Sequence, residues 1–290
     1  MIVVDKPREW TSHDVVNGMR RLAGTRKVGH LGTLDPGATG VLPLVIGRAT
    51  RLAQFFSHND KVYEGVIHFG YATDSYDMDG APTSPDVAVT LEQDAAEVLF
   101  DRFRGELSQT PPPVSAKKVA GRPAYERARK NLPVELKPVP VTVRSLDVIA
   151  VAGCEVTVRI HCSAGTYVRG IAHDAGQALG CGAFLKALRR LASGDFKIEQ
   201  SRTLEELAAL AAGNRLHEAL LPAAGLLPEF PVEMVDAVTL AQIRNGRDFR
   251  VSPFHVRGEA RYVKAVTPDG RLAAIGEAVL PHLYHPLLVL

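Results

Sequence analysis

The sequence predicts a mixed α/β protein of the α+β kind, in which helices and loops flank a largely antiparallel central sheet. Strands are predicted at 62–69, at 141–149 and at Glu155–Cys162, and in the last of these apolar residues alternate with polar ones. Helical patterns occur between the strands, but without the regular strand, helix, strand alternation of a doubly wound parallel sheet. The length of 290 residues and a hydrophobic content of 46% allow one large domain, or one domain with a small companion.

The first predicted helix begins at Thr11, which forms a capping-box pattern with Asp14, and it ends near Gly24. Its apolar stripe comprises Val15, Val16, Met19, Leu22 and Ala23. The helix leads directly into a glycine-rich segment at 29–40.

Three further helices are predicted in the first 228 residues. One begins near Thr90 and Gln93, and another begins with the capping-box pair Thr203 and Glu206. The third has an amphipathic pattern that starts at Val168. The apolar faces comprise Leu91, Ala95, Val98 and Leu99 in the first helix, and Val168, Ile171, Ala172, Ala175 and Leu179 in the third.

The composition changes at 222–231, and the residues that follow predict a small β-rich C-terminal module. A short helix is predicted at 239–246, and a hairpin is predicted at 262–279 around Pro268, Asp269 and Gly270. We expect the module to comprise residues 229–290, which is near the lower size limit for independent folding.

An exposed insertion is predicted at 109–140, where proline runs and charged residues replace core-like patterns. Within it, 117–130 contains six basic residues and one acid, with Tyr125 between them. The segment alone leaves two interpretations open, a solvated surface or a segment that binds phosphates.

The overall composition limits the classes of function. The formal net charge of +2 argues against binding a polyanion through total charge, although a local basic face is compatible with it. The chain shows no secretory signal and no apolar run of transmembrane length, so we expect a cytoplasmic protein without a membrane partner. Its cysteines, Cys154, Cys162 and Cys181, form no C-x-x-C pair and the histidines lack ligand spacing, so neither a disulfide framework nor a metal site is expected.

The segment at 29–40, G-H-L-G-T-L-D-P-G-A-T-G, places one carboxylate, Asp35, in a turn of glycines and a proline. The glycines allow unusual backbone conformations or leave room for a ligand, and Pro36 favours an extended Asp35. A tight turn in which Asp35 is only a local cap is an equally good interpretation of the segment alone.

Several familiar sites are excluded by missing residues. The glycine loop has no lysine, which a Walker loop requires, and Asp35 is followed by Pro36 rather than by the Thr-Gly or Ser-Gly of aspartic proteases. The acidic run at 74–80 does not match the ligand register of a calcium loop, so it is interpreted as a polar turn near a strand end.

Because neither a metal nor a second acid is predicted beside Asp35, we interpret this residue as a nucleophile that must stay ionised. A buried carboxylate stays charged only when a cation or several donors hold it so. Arg169 is a candidate, because an extended Tyr167 and Arg169 would face the same side at the end of a strand. An exposed arginine at a helix start is an equally good interpretation of that segment.

The motifs taken together closely resemble one family. They are I-V-V-D-K-P-x-x-x-T-S-H-D-V-V, G-H-L-G-T-L-D-P-x-A-T-G, D-K-V-Y-E, T-D-S-Y-D-M-D-G, C-S-A-G-T-Y-V-R and L-R-R-L, in this order from Ile2 to Leu191. This combination resembles the bacterial TruB family, the tRNA pseudouridine-55 synthases. The resemblance implies a pseudouridine-synthase fold over residues 1–228 and a PUA-like RNA-binding domain over 229–290. It further implies isomerisation of the uridine at position 55 in the TΨC loop of tRNA, without a cofactor.

The resemblance also implies roles for individual residues. Asp35 matches the catalytic aspartate, Arg169 the arginine that pairs with it, and Tyr167 a tyrosine near C5 of the uracil. Tyr63 matches the aromatic residue that stacks on the target base, His30 a residue that takes the place of the flipped nucleotide, and Leu188 an apolar wall of the pocket. The insertion at 109–140 matches an RNA-binding loop, which favours the second interpretation of its basic residues, Lys117, Lys118, Arg127 and Arg129.

The expected partner is the TΨC stem-loop of tRNA, bound by a monomer that needs no protein partner. One alternative is the guide-RNA-dependent relative of this family, which has a shorter insertion and extra terminal segments. A second is an RNA-binding protein that has lost catalysis, and retention of Asp35, Tyr63, Tyr167 and Arg169 argues against it. A third is a glycosidase with a carboxylate pair, for which the sequence offers no second acid beside Asp35.

Overall fold

The computed structural model describes residues 1–115, 136–254 and 260–290, together with the backbone of 118–119 and 122–123. The strands of the first part of the chain are β1 (Ile2–Lys6), β2 (Val28–His30), β3 (Thr39–Ile46), β4 (Lys61–Phe69), β5 (Gly105–Gln109), β6 (Lys118–Val119), β7 (Arg122–Pro123), β8 (Val139–Ala152), β9 (Glu155–Cys162), β10 (Ala183–Ser193) and β11 (Phe196–Lys197). In the described residues, nine of them form one sheet in the order β1-β3-β10-β4-β9-β8-β5, with β2 added to β3 and β11 added to β10.

This sheet is largely antiparallel, which confirms the predicted fold class. The single parallel pairing within it joins β3 and β10, and every other neighbouring pair in the described part of the sheet is antiparallel. The three predicted strands at 62–69, 141–149 and Glu155–Cys162 correspond to β4, β8 and β9.

The helices are α1 (Ser12–Leu22), α2 (Gln93–Asp101), α3 (Val168–Leu179), α4 (Leu204–Ala212) and α5 (Ala237–Arg244), with short 3-10 segments between some elements. Capping boxes begin α1 at Thr11 and α4 at Thr203, as predicted. In each, the threonine hydroxyl accepts from the backbone N–H of the third helical residue, and the threonine N–H donates to the carboxylate of that residue. None of the helices in the described ranges is long and apolar enough to cross a membrane.

The prediction for α2 was wrong in its cap at Thr90 and in part of its buried face. The helix begins after Glu92 rather than at Thr90, and it has no side-chain cap. Ala95 and Val98 are exposed, whereas the buried residues are Ala96, Leu99 and Phe100. The stripe that contains Phe100 buries more apolar area, and its ring packs edge-on against Phe69 of β4, which explains why that face meets the sheet.

A second sheet follows in the chain. Its strands are β12 (Val232–Met234), β13 (Phe249–Arg250), β14 (Tyr262–Val266), β15 (Leu272–Leu280) and β16 (Leu283–Val289), in the order β12-β14-β15-β16-β13. The predicted hairpin at 262–279 is confirmed by the antiparallel pairing of β14 with β15. The boundary at residue 228 and the RNA-binding role of the second sheet stay predictions.

The two sheets share a hydrophobic core. One cluster of buried side chains contains Met1, Val3 from β1, Leu52 and Phe56 from the 3-10 segment after β3, and residues of the second sheet. The contributions of the second sheet are Val266, Leu272, Ile275 and Leu288. Arg51 adds a bond from its guanidinium to the carbonyl oxygen of Val289 at 2.7 Å. Apolar contact therefore fixes the second sheet against the first.

Candidate active site

A cavity of about 390 Å³ lies between the glycine loop, the middle of β4 and β10, and the start of α3. Its walls bring together residues that are far apart in the sequence, including Asp35, Tyr63, Tyr167, Arg169 and Leu188. The remaining lining residues are Gly32, Thr33, Leu34, Ser57, Lys61, Arg190 and residues 163–166 and 168. The structure thus places five of the predicted site residues around one space.

Asp35 lies in the loop between β2 and β3, and bonds from other elements hold this loop in place. The hydroxyl of Ser12, at the start of α1, donates to the carbonyl oxygen of Leu34 at 3.1 Å and accepts from the Leu34 N–H at 2.8 Å. The carbonyl oxygen of Asp35 itself accepts from the N–H of Ala38 at 3.1 Å, which closes a turn. The backbone that carries the Asp35 carboxylate is therefore held by a hydrogen bond within the loop and by two hydrogen bonds to Ser12 of α1.

A fully buried lysine supports the same loop from β1. The ammonium of Lys6 donates to the carbonyl oxygens of Pro7 at 2.9 Å and Pro36 at 3.1 Å, and to that of Trp10. Burial lowers the pKa of Lys6 to about 8, against the opposing attraction of Asp35. Lys6 thus contributes positive charge behind the aspartate without lining the cavity.

One glycine of the loop has a packing role that differs from clearance for a ligand. Gly40 has φ +102°, and a Cβ there would lie 2.2 Å from the carbonyl oxygen of Arg190. Strand β3 pairs with β10 at this point, so only glycine permits the close approach of the two backbones. The interpretation of the glycines as room for a ligand is wrong for this residue.

Arg169 is buried and holds three separate segments together. Its guanidinium donates to the carbonyl oxygens of Ser75 at 2.9 Å and Val114 at 3.0 Å. Its Nε lies 3.0 Å from Oδ2 of Asp35, a close ion pair that lacks the alignment of a hydrogen bond. Asp35 therefore has the cation that a buried carboxylate requires.

The acidic turn at 74–80 supplies a residue that the sequence reasoning missed. Oδ2 of Asp77 lies 3.3 Å from the same guanidinium of Arg169. Backbone bonds from Met78 and Leu185 tie this turn to β10, which fixes Asp77 beside the aspartate loop. The expectation that Asp35 has no neighbouring acid is wrong, and the turn is part of the site rather than a plain strand-end turn. The signals in the sequence were the density of acids at 74–80 and the motif T-D-S-Y-D-M-D-G, to which the resemblance assigned no role for Asp77.

The environment raises the pKa of Asp35 above its ordinary value. Desolvation in the cavity wall is the largest cause, Arg169 opposes it, and the charge of Asp77 adds to it. Although 42% of the Asp35 side chain is exposed, this residue borders a confined cavity, where water is limited. The ionised form is therefore less favourable here than in an unfolded chain.

Asp77→Asn should move the acidic limb of the pH profile to lower pH. If ionised Asp35 is required, kcat/KM rises with pH through the raised pKa of Asp35 and then levels off. Removing the like charge of Asp77 lowers that pKa, so the midpoint shifts down. Initial rates of uridine isomerisation between acid and neutral pH measure the midpoint. Asp79→Asn, in the same turn but exposed, is the matched control and should leave it unchanged. An upward shift for Asp77→Asn would contradict this assignment of charges.

Tyr167 and Arg169 reach the cavity in a different way from the one predicted. Tyr167 is extended, but it is the residue that precedes α3, and Arg169 already belongs to that helix. The side chain of Gln109, at the end of β5, accepts from the Tyr167 N–H at 2.8 Å and donates to its carbonyl oxygen at 2.9 Å. The helix start brings the guanidinium carbon of Arg169 to 6.0 Å from the centre of the Tyr167 ring. The two residues share the site, but not through strand alternation.

The wall opposite the aspartate comes from paired strands. Tyr63 on β4 is buried and stands opposite Arg190 on β10, and Leu188 stands opposite Gly65. Leu188 lies within strand β10. The strand places its side chain at the cavity beside Tyr63.

Among the remaining predicted residues, only the side chain of His30 lies in the described ranges, and it does not line the cavity. His30 ends β2 and its Nδ1 accepts from the Gly32 N–H at 3.4 Å, but it is not among the lining residues. Lys117, Arg127 and Arg129 lie outside the described residues, and for Lys118 only the backbone is described. Within the described ranges, no group of three or more histidine, cysteine or acidic side chains could hold a metal ion.

Comparisons with known proteins identify the family of the chain. Residues 20–168 match the N-terminal domain of TruB family pseudouridylate synthase, and residues 169–227 match the C-terminal domain of tRNA pseudouridylate synthase B. The chain is 60% identical to the tRNA pseudouridine synthase B of Solibacter usitatus, over 100% of this chain and 99% of that protein. It is 42% identical to the protein of the same name from Dechloromonas aromatica, over 96% and 90% of the two chains.

A solved structure has a similar fold. It is that of an H/ACA ribonucleoprotein bound to a substrate RNA containing 2′-deoxyuridine, with a TM-score of 0.71 and 26% identity. The alignment covers 96% of this chain and 78% of that one. The two family domains, the full-length relatives and this fold together show that the chain belongs to the TruB family of pseudouridylate synthases.

Proposed function

We propose that this enzyme converts the uridine at position 55 in the TΨC loop of tRNA to pseudouridine, with Asp35 as nucleophile and without a cofactor. The observation that carries the proposal is the ion pair of Asp35 with buried Arg169 at the wall of a cavity that also contains Tyr63 and Tyr167. The relatives named tRNA pseudouridine synthase B support tRNA as the substrate. The purified chain acts as a monomer and needs no protein partner in this proposal.

The isomerisation exchanges one bond of the uracil for another. The bond between N1 and C1′ breaks, a bond between C5 and C1′ forms, C5 loses its proton and N1 gains one. Asp35 can add to the ribose or to the base, and both routes need it ionised. Arg169 and Lys6 supply the positive charge that opposes desolvation at this carboxylate. Tyr167, which lines the same cavity, is proposed to act in removing the proton from C5.

The cavity also suits a base that has left its stack. Extruding a nucleotide from a folded loop costs roughly a few kcal/mol, and stacking in the protein offsets this. Tyr63 provides a ring for that stacking and Leu188 an apolar contact beside it. His30 is proposed to occupy the space that the flipped nucleotide leaves, and the basic residues of 109–140 are proposed to bind the RNA backbone.

The test is pseudouridine formation in a tRNA transcript labelled with tritium at C5 of uridine. Each conversion releases one tritium to water, so we expect release equivalent to one uridine per tRNA. A transcript with cytidine at position 55 is the matched control and should release none. Equal release from both transcripts would contradict the proposed position, and no release from either would contradict the proposed reaction.

A further inference from the structure

The pairing of β4 with β10 gives the cavity two chemically different ends. Lys61, Tyr63 and Gly65 alternate along β4, and all three lie on its buried face. Their partners on β10 are Ser193, Arg190 and Leu188, in that order. The order along the strands therefore runs from a cationic end at Lys61, through the ring of Tyr63, to an apolar end at Leu188.

Lys61 is a buried cation with unused donors. Its residue exposure is 8%, it lines the cavity, and its ammonium donates to the carbonyl oxygen of Asn59. No other hydrogen bond and no ion pair of this ammonium is present among the described residues. Asp60, the adjacent acid, lies 2.7 Å from the guanidinium of Arg144 instead. An ammonium has three donors, so two remain for a ligand.

The two arginines of the cavity differ from Lys61 in this respect. The guanidinium of Arg190 donates to the carbonyl oxygens of Val41 at 2.7 Å, Gly32 at 3.1 Å and Thr33 at 3.3 Å. The guanidinium of Arg169 donates to two carbonyl oxygens and forms ion pairs with two carboxylates. Each arginine thus contacts several carbonyl oxygens or carboxylates, whereas the ammonium of Lys61 contacts one carbonyl oxygen.

The charges around the cavity favour an anion at the Lys61 end. The charged lining residues are Asp35, Lys61, Arg169 and Arg190, and Arg169 already faces the carboxylates of Asp35 and Asp77. That leaves Lys61 and Arg190 without a carboxylate within ion-pair distance in the described part of the chain. Burial lowers the pKa of Lys61, Arg190 lowers it further, and the nearby Cys162 and Asp60 oppose this. A bound anion would oppose the effects of burial and of Arg190 in the same way.

We infer that Lys61 binds a phosphate that flanks the flipped nucleotide. Lys61 and Tyr63 are two residues apart on one face, a separation of about 7 Å, which suits a base on the ring and its phosphate at the ammonium. Asp35 then faces the ribose between them. This inference rests on the proposed function. It adds a residue that binds the RNA backbone inside the cavity, apart from the basic residues proposed to do so in the insertion at 109–140.

The test is a double-mutant cycle between Lys61 and the RNA backbone. The enzymes are wild type, Lys61→Met and Lys61→Arg, and the TΨC stem-loops carry either normal phosphates or one uncharged methylphosphonate, 5′ or 3′ of the target uridine. Lys61→Met should raise KM about 10- to 100-fold, as for loss of a charge-assisted bond, with kcat changed little. One of the two methylphosphonates should raise the wild-type KM equally, and combining it with Lys61→Met should add nothing. Lys61→Arg should restore most of the affinity.

Lys197→Met is the matched control, because it removes one exposed lysine from the strand next to the end of β10. It should respond to both methylphosphonates as wild type does. Additive effects of Lys61→Met and each methylphosphonate, or a fall in kcat at constant KM, would overturn the inference in favour of a contact to the base. If Lys61→Met does not fold, an unchanged wild-type KM with both methylphosphonates overturns it equally. If wild type converts no uridine in normal RNA, the proposed function fails and this inference fails with it.

Discussion

Asp35→Asn should abolish pseudouridine formation, with a loss of about 10⁴-fold or more in kcat, while RNA binding is largely retained. The amide is nearly isosteric with the carboxyl group, but it cannot add to the ribose or the base as a nucleophile. Tritium release from a labelled TΨC stem-loop measures the rate, and filter binding of the same RNA measures affinity. Undiminished turnover would eliminate Asp35 as the nucleophile.

Stability distinguishes this loss from a folding defect. The folded protein raises the pKa of Asp35, so the ionised form lowers stability at pH values above the raised pKa, and this cost disappears below the unfolded value of 3.8. The amide that replaces the carboxyl group carries no charge at any pH, so the Tm of Asp35→Asn at neutral pH should equal or exceed that of wild type. A lower Tm together with lost activity would attribute the effect to structure rather than to chemistry.

Arg169→Met should cause the second largest loss, about 10³-fold in kcat, together with a reduced Tm. The substitution leaves Asp35 and Asp77 without their shared cation and leaves the carbonyl oxygens of Ser75 and Val114 without a donor. Leaving a buried carbonyl oxygen without its donor costs about 1–3 kcal/mol of unfolding free energy. Because the Asp35 and Asp77 side chains are partly exposed, the loss of their ion pairs adds less than it would in a fully buried pair. Tritium release and thermal unfolding measure the two effects.

The matched control for Arg169→Met is Arg159→Met on the same sheet. Arg159 pairs with Glu64 at 2.9 Å, but half of its side chain is exposed, and such surface pairs contribute about 0–1 kcal/mol. Arg159→Met should therefore leave the Tm within about 3 °C of wild type. Equal destabilisation by both substitutions would mean that the Arg169 pair is not specially costly to break.

Asp35 could be found from the sequence because its signal is local. Glycines and a proline around one acid indicate a carboxylate on constrained backbone, and the requirement for a cation follows from electrostatics alone. Asp77 could not be found in the same way. Its role depends on β10, whose Leu185 binds the turn at 74–80 and so carries Asp77 to Arg169. The contact between Leu185 and the turn joins residues more than a hundred positions apart in the sequence. Such a contact leaves no periodic pattern in the sequence.

Strands β3 and β10 were not predicted from the sequence, and there is a physical reason for this. β3 and β10 lie in the middle of the sheet, and most of β3 is buried without alternation, so the period of two that revealed β9 is absent from it. β10 contains Lys186, Arg189 and Arg190, which look like a helix surface in sequence. Arg190 is nonetheless fully buried, because backbone carbonyl oxygens surround its guanidinium. Charged residues of this kind are typical of an exposed surface, whereas the hydrogen bonds of Arg190 explain its burial.

The apolar cluster between the two sheets has a consequence for protein engineering. Because Val266, Leu272, Ile275 and Leu288 pack directly on Val3, Leu52 and Phe56, no polar linker separates the sheets at this point. The C-terminal sheet is therefore unsuited to exchange as a cassette between relatives unless the residues on the facing surface are exchanged with it. A chimaera that keeps both sides of this cluster from the same parent preserves the packing, whereas one that mixes parents creates voids or overlaps in a core.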